Sequence, residues 1–135
     1  MLKFIIILFV PLLLAAQIQW QKDFSTALAV AKKSNKPLMI FYESKNCHWC
    51  KKMVQETLHN KKVKDRINKE VIAVKIWKER NDYPASFRAK YTPTTFFITP
   101  TQKQIIRPVL GYVNVAYFLS YLDDVKRRKK RYKLF

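Results

Sequence analysis

Glycine is almost missing from this chain: its 135 residues contain one, Gly111. Cysteine is limited to Cys47 and Cys50, and Asp plus Glu to 9 against 27 Lys plus Arg, a net charge of +18. Each scarcity excludes a class. Too little Gly and acid, with 49% hydrophobic residues, excludes a flexible linker or an acidic disordered protein, which lack the apolar surface to offset ordering entropy. Two cysteines exclude a disulfide-dense miniprotein. No internal repeat and no heptad run is present, so solenoids and coiled coils drop away. What remains is a chain of the length that one hydrophobic core serves.

The N-terminus reads MLKFIIILFVPLLLAA over residues 1–16. Lys3 precedes a 13-residue apolar run, 4–16, shorter than the ~20 residues that cross a hydrocarbon core. A basic start, a short apolar stretch and the small residues Ala15 and Ala16 make a secretory signal peptide, although Leu14 sits where a small residue is preferred before the cut. An uncleaved membrane anchor and a buried N-terminal element are the alternatives. The expected organisation is a signal peptide at 1–16, a folded domain at 17–125 and a basic tail at 126–135. The expected location is the periplasm or the outside of the cell.

Apolar periodicity predicts a helix over 23–36, with Phe24, Ala27, Leu28 and Ala31 on one face, Asp23 as cap, and Asn35 and Pro37 as stop. Continuous apolar runs at 37–43 and 71–77 suit buried strands. Helices are expected at 47–58 and 60–68, and a short one at 84–90 after Pro84. Two strands at 93–98 and 104–110 form a hairpin, and an amphipathic helix covers 115–126. Strand, helix, strand implies a parallel pair; the hairpin adds antiparallel strands. The expected fold class is α/β, a central mixed sheet of four to five strands with helices on both faces.

Cys47-His48-Trp49-Cys50 falls where the first buried strand gives way to a helix. Residues three apart share a helix face, so the two sulfurs can meet. Cys47, at the helix start, faces unpaired N–H groups that favour a thiolate; Cys50 lies one turn in. One exposed nucleophile and one resolving thiol is what thiol–disulfide exchange requires. A structural staple is the competing reading, weakened because so short a loop restricts the unfolded chain by only roughly 2 kcal/mol. Zinc needs a second ligand pair, and His59 alone stands outside the motif, so no metal is expected. Haem attachment needs His after the second Cys, where Lys51 stands. His48 either raises thiolate character at Cys47 or points to solvent. Trp49 is a substrate-facing contact, a lid over Cys50 or a packing residue.

KPLMIFYESKNCHWCKKM, the Tyr91-Thr92-Pro93-Thr94 stretch entering TFFIT, the Cys50–Pro93 separation, and Gly111-Tyr112 before a last amphipathic helix together resemble the thioredoxin-fold family, more narrowly its periplasmic thioredoxin-like members with a Cys-His-Trp-Cys motif. The resemblance covers about residues 18–125. It implies a cis Pro93 beside the cysteine pair, with Thr92 offering backbone groups to an extended substrate; an ordinary trans proline at a strand start is the alternative. The chain departs from the pattern at Phe41, where many members carry a buried Asp, and at Asn46, where many carry Trp. Glu43 is then the nearest carboxylate, either a proton acceptor for Cys50 or a solvated strand-end residue. Lys75 approximates a lysine found in one strand of family members; a strand-end charge reaching solvent is the alternative.

The expected function is an exported thiol–disulfide oxidoreductase, more a protein disulfide reductase than an oxidase, acting on disulfide-containing substrate proteins. It would be recharged by a membrane thiol donor or oxidant and needs no cofactor. The alternative is a non-enzymatic binding module with a fixed Cys47–Cys50 bridge. Seven of the eight residues at 126–133 are basic. In an exported chain they read as a solvated tail or a contact with an anionic membrane surface or partner; no aromatic-interleaved strand face points to nucleic acid.

Overall fold

The structure is a computed structural model that describes residues 16–135. The signal-peptide expectation falls on a segment that, but for Ala16, lies outside the described residues. Nine regular elements follow in order: β1 (Trp20–Gln21), α1 (Phe24–Ser34), β2 (Leu38–Glu43), α2 (His48–Met53), α3 (Lys61–Glu70), β3 (Ile72–Trp77), β4 (Thr94–Ile98), β5 (Val109–Leu110) and α4 (Val115–Arg128). A π-helical turn, Val54–Leu58, continues α2.

The strands form one mixed sheet in the order β1-β3-β2-β4-β5. β2 runs parallel to β3, with Leu38 opposite Ile72 and Glu43 opposite Trp77. It runs antiparallel to β4, with Tyr42 opposite Thr94. Its central place explains its composition: all six residues are buried, so LMIFYE reads as a continuous apolar run rather than an alternation. Alternate side chains still serve different layers. Leu38, Ile40 and Tyr42 pack with Phe24, Ala27 and Ala31 of α1. Met39 and Phe41 pack with Met53, Val63, Ile67, Phe118 and Leu122 of the helices on the other face.

Helix ends follow capping chemistry. The Asp23 side chain accepts from Thr26 N at 2.8 Å, that of Asn60 from Val63 N at 3.2 Å, and that of Asn114 from Tyr117 N at 3.0 Å. Asn35 closes α1 in the left-handed region, at φ 51°.

Four expectations are corrected. β1 was absent from the sequence reading; its two residues pair with Ala73 and Val74 of β3. The strand expected at 104–110 shrinks to Val109–Leu110 plus a lone bridge from Gln104 to Ile98. Pro108, immediately before β5, has no N–H to extend the ladder. The helix expected at 84–90 is one 3₁₀ turn, Ala85–Phe87. The basic segment is continuous with the fold: α4 runs through Arg128 and a 3₁₀ turn occupies Lys129–Tyr132. The chain end is tied back, with Asn35 Nδ2 donating to Lys133 O at 2.9 Å.

Phe118 is fully buried, 6.3 Å from Phe97 between ring centroids, whereas its neighbour Tyr117 is 65% exposed. Phe118→Ala should therefore lower stability by about 3–5 kcal/mol in urea unfolding, and Tyr117→Ala by no more than about 0.5 kcal/mol. Equal losses at the two positions would contradict the packing described.

Candidate active site

Three loops meet at the edge of the sheet where β2 and β3 end. The first leaves β2 at Glu43, and Asn46 turns it at φ 55°, a left-handed conformation that asparagine tolerates. The turn delivers Cys47 as the N-cap of α2. Cys47 Sγ accepts the Cys50 backbone N–H at 3.1 Å, so the sulfur takes the place a capping oxygen usually fills. Cys47 and Cys50 form a disulfide, with Cα atoms 5.2 Å apart. Cys47 is 9% exposed and Cys50 1%, so the outer cysteine is the more accessible of the two.

The second loop carries Thr92 and Pro93, joined by a cis peptide bond. Ser44 and Thr92 share a hydrogen bond between hydroxyls at 3.0 Å, which fastens this loop to the one before the cysteines. The third loop is fastened by Gly111 N, which donates to Pro93 O at 2.8 Å. Gly111 has φ 75°, and an added Cβ would meet nothing within 4 Å. The backbone angle, not space, therefore requires the chain's one glycine at this point.

Between the loops lies a groove of about 530 Å³ lined by Trp49, Tyr91, Thr92, Leu110, Gly111 and Tyr112. Trp49, Tyr91 and Leu110 are each more than half exposed. Apolar side chains clustered in solvent mark a contact surface. Trp49 is thus a groove wall rather than a core residue. Its indole lies 5.9 Å from the Tyr112 ring, and Lys52 Nζ sits 5.1 Å and 5.2 Å from the two centroids. Tyr112 donates its hydroxyl to Glu56 Oε2 at 2.8 Å; that carboxylate, with a smaller desolvation effect, holds the hydroxyl above the ordinary tyrosine value. On the opposite wall Lys90 Nζ lies 5.5 Å from the Tyr91 ring.

His48 is exposed, with its ring edge-on to Trp49 at 5.4 Å. Glu43 is not a solvated strand-end residue: it is 7% exposed, at the end of the central strand opposite Trp77 of β3. Its Oε2 accepts no hydrogen bond and lies 3.8 Å from Lys75 Nζ, an ion-pair distance. Burial pushes the Glu43 carboxyl above its ordinary value of 4.5, opposed by Lys75. Among the described residues no group of three or more His, Cys, Asp or Glu is placed to hold a metal; His59 Nδ1 lies 2.9 Å from Val54 O.

The structure brings Cys47, Cys50, Trp49, Thr92 and Pro93 to one place. Sequence reading did not single out Tyr91, Leu110 and Lys52 for this place. The first two adjoin residues it did name, Thr92 and Gly111, and that adjacency was the available signal.

A family model described as a thioredoxin-like domain matches residues 24–126. Among curated proteins, the chain is 27% identical over 84 residues to anterior gradient protein 3 of Mus musculus, covering 62% of this chain and 51% of that protein. It is 29% identical over 62 residues to spermatogenesis-associated protein 20 of Rattus norvegicus, covering 46% of this chain and 8% of that protein. The chain thus spans about half the length, or less, of these relatives. Among solved structures, a DsbH oxidoreductase superposes with a TM-score of 0.68 at 23% identity, over 82% of this chain and 86% of that one. A thioredoxin from Thermus thermophilus does so with a TM-score of 0.72 at 21% identity, over 84% and 91%. These superpositions establish the fold. No helix among the described residues is long and apolar enough to cross a membrane.

Glu43 yields a pH test. Its folded-state value is raised, so between 4.5 and that raised value the folded protein holds a proton that the unfolded chain has lost. Glu43 therefore makes stability fall as pH rises through this window. Urea unfolding from pH 4 to 7 should show a decline that Glu43→Gln reduces. An identical pH profile for the two proteins would contradict a buried, poorly partnered carboxyl.

Proposed function

The chain belongs to the thioredoxin-like domain family, and on that footing we propose that it is an exported thiol–disulfide oxidoreductase acting on substrate proteins, chiefly as a reductase. One observation carries the reading: the Cys47–Cys50 pair, outer sulfur at a helix start, brackets Trp49, which with Thr92 lines an apolar groove.

In the reducing direction the resting pair is a dithiol. The Cys47 thiolate attacks a substrate disulfide, forming a Cys47–substrate bond and releasing one substrate thiolate. The Cys50 thiolate then attacks Cys47 Sγ. The mixed disulfide breaks, the second substrate thiolate leaves, and the Cys47–Cys50 bond forms. Two electrons pass to the substrate, and a membrane thiol donor restores them. No metal or organic cofactor enters the exchange.

Each neighbouring residue has a part. Thr92 and Pro93 align an extended substrate backbone, and Trp49 supplies an apolar wall for its side chains. His48, next in sequence to the attacking sulfur, favours the Cys47 thiolate when protonated. Glu43 lies on the same face of β2 as Met39 and Phe41, the face on which the helix of Cys50 packs. A carboxylate whose value burial has raised is a stronger proton acceptor for Cys50 than a solvated one. Reduction is favoured over oxidation because no long insertion separates the cysteines from Pro93. Residues 1–16 act as the export signal, 17–125 as the exchange domain, and the protein works in the periplasm or outside the cell.

Insulin reduction driven by dithiothreitol should fall to background in Cys47→Ser. In Cys50→Ala the first attack should persist and the mixed disulfide accumulate, visible as an adduct on non-reducing gels. Equal rates for Cys47→Ser and the unsubstituted protein would eliminate the enzyme reading in favour of a binding module with a fixed bridge. A reduction potential against glutathione near about −270 mV supports the reductase direction; one near about −120 mV reverses it.

A further inference from the structure

The end of the molecule opposite the cysteines gathers a cluster of basic side chains from several chain segments. β2 and β3 both end at the cysteine edge and both begin at the far edge, where Ile72 N donates to Pro37 O at 2.9 Å. Helices α1 and α3 finish at that far edge, bringing Lys32, Lys33 and Lys69 in their last turns. Helix α4 starts beside the groove, at Val115, and its 14 residues carry it to the same far edge. Contacts there confirm the convergence. Lys36 Nζ donates to Lys69 O at 3.1 Å, and Phe135 N donates to Asn35 O at 2.9 Å. Lys129 is near enough to Lys36 and Lys126 that, after burial and against the pull of Glu70, both help hold its ammonium below the ordinary lysine value.

Few of these cations are neutralised. Of Lys32, Lys33, Lys36, Lys69 and the basic residues of 126–133, the ion-paired ones among the described residues are Lys126, 3.9 Å from Glu70, and Arg127, 2.6 Å from Asp124. Glu70 is already held by Arg66 at 3.1 Å. Two exposed aromatic residues stand among the free cations: Phe135, 74% exposed, and Tyr132, 39% exposed.

We propose that this basic end docks on an anionic phospholipid surface and holds the protein with its Cys47–Thr92 groove facing away from the membrane. Cations from several chain segments, spread around exposed aromatic rings, match a headgroup layer over an acyl boundary: charge at the headgroups, rings at the interface. The chain outside the described residues points the same way. Its apolar run at 4–16 leads into Gln17, whose carbonyl accepts from Asn68 Nδ2 at 2.8 Å, one residue before Lys69 of the basic end. Gln17 itself is thereby held beside the cations.

The test is sedimentation of the full chain with vesicles of phosphatidylglycerol and phosphatidylcholine, compared with phosphatidylcholine alone. The comparison between the two lipids cancels binding by the apolar run. One variant carries Lys129→Gln, Lys130→Gln, Arg131→Gln and Lys133→Gln. A second, with the same change in net charge, carries Lys62→Gln, Lys78→Gln, Lys90→Gln and Lys103→Gln. At roughly a factor of five or more per basic residue, the first variant should lose about 100-fold or more of the preference for anionic vesicles, and the second less than about tenfold. Reduced Cys47 should react with a maleimide–polyethylene glycol as fast on vesicles as free. Equal losses in the two variants assign binding to total charge and overturn the proposal. Indifference of the unsubstituted protein to lipid charge, with polyglutamate bound instead, overturns it in favour of an acidic protein partner. Protection of Cys47 on vesicles overturns the orientation. None of these readouts needs exchange activity, so their failure is separable from that of the enzyme reading.

Discussion

The backbone N–H of Cys50 donates to the sulfur of Cys47, and much of the molecule is arranged so that this contact exists. A capping position needs an acceptor, and here the acceptor is the outer sulfur of the disulfide, which after reduction accepts better as a thiolate than as a thiol. On the proposed exchange reading, the same N–H groups that start the helix stabilise the outer cysteine as a thiolate once the pair is reduced. Holding the contact requires β2 to stop at Glu43, Asn46 to adopt a left-handed turn, and α2 to pack Met53 into the core beneath. A central strand buried on both faces supplies the rigidity.

Around that sulfur the fold assembles a surface from chain segments that have no local reason to meet. Trp49 comes from α2, Tyr91 and Thr92 from the loop into β4, and Leu110 to Tyr112 from the end of the hairpin. A hydrogen bond between the Ser44 and Thr92 hydroxyls and one from Gly111 N to Pro93 O fix their spacing. Lys52 and Lys90 rest on the aromatic walls, so the groove is apolar inside and cationic at its rim. The far end repeats the pairing of cations with aromatic rings on a larger scale. A molecule with few acidic residues thus keeps two distinct basic regions, separated by the length of the sheet.

Much of this was legible in the residues. Strands buried on both faces announce themselves as unbroken apolar runs, which is why β2, β3 and β4 were found within a residue or two. The cysteine pair was legible because its spacing is a helix spacing, and the order of strands and helices followed from where those runs fell. Other features depend on tertiary neighbours. The burial of Glu43 comes from the tertiary fold, and nothing in its local sequence differs from a carboxylate at an exposed strand end. The strand β1 is two residues long and exists because β3 offers a free edge. The shortening at Pro108 was readable, since a residue without N–H cannot extend a ladder. The helical end of the basic run was not: local composition suggests repulsion and disorder, while the contacts of Asn35 with Lys133 and Phe135 override it.

The most direct measurement on the central contact is alkylation of the reduced protein by iodoacetamide as a function of pH, with the modified cysteine identified by mass spectrometry. Cys47 should be carried first, with a midpoint below the ~8.5 of a free thiol, and Cys50 only later and at higher pH. First modification of Cys50, or a Cys47 midpoint at or above that of a free thiol, would contradict the account.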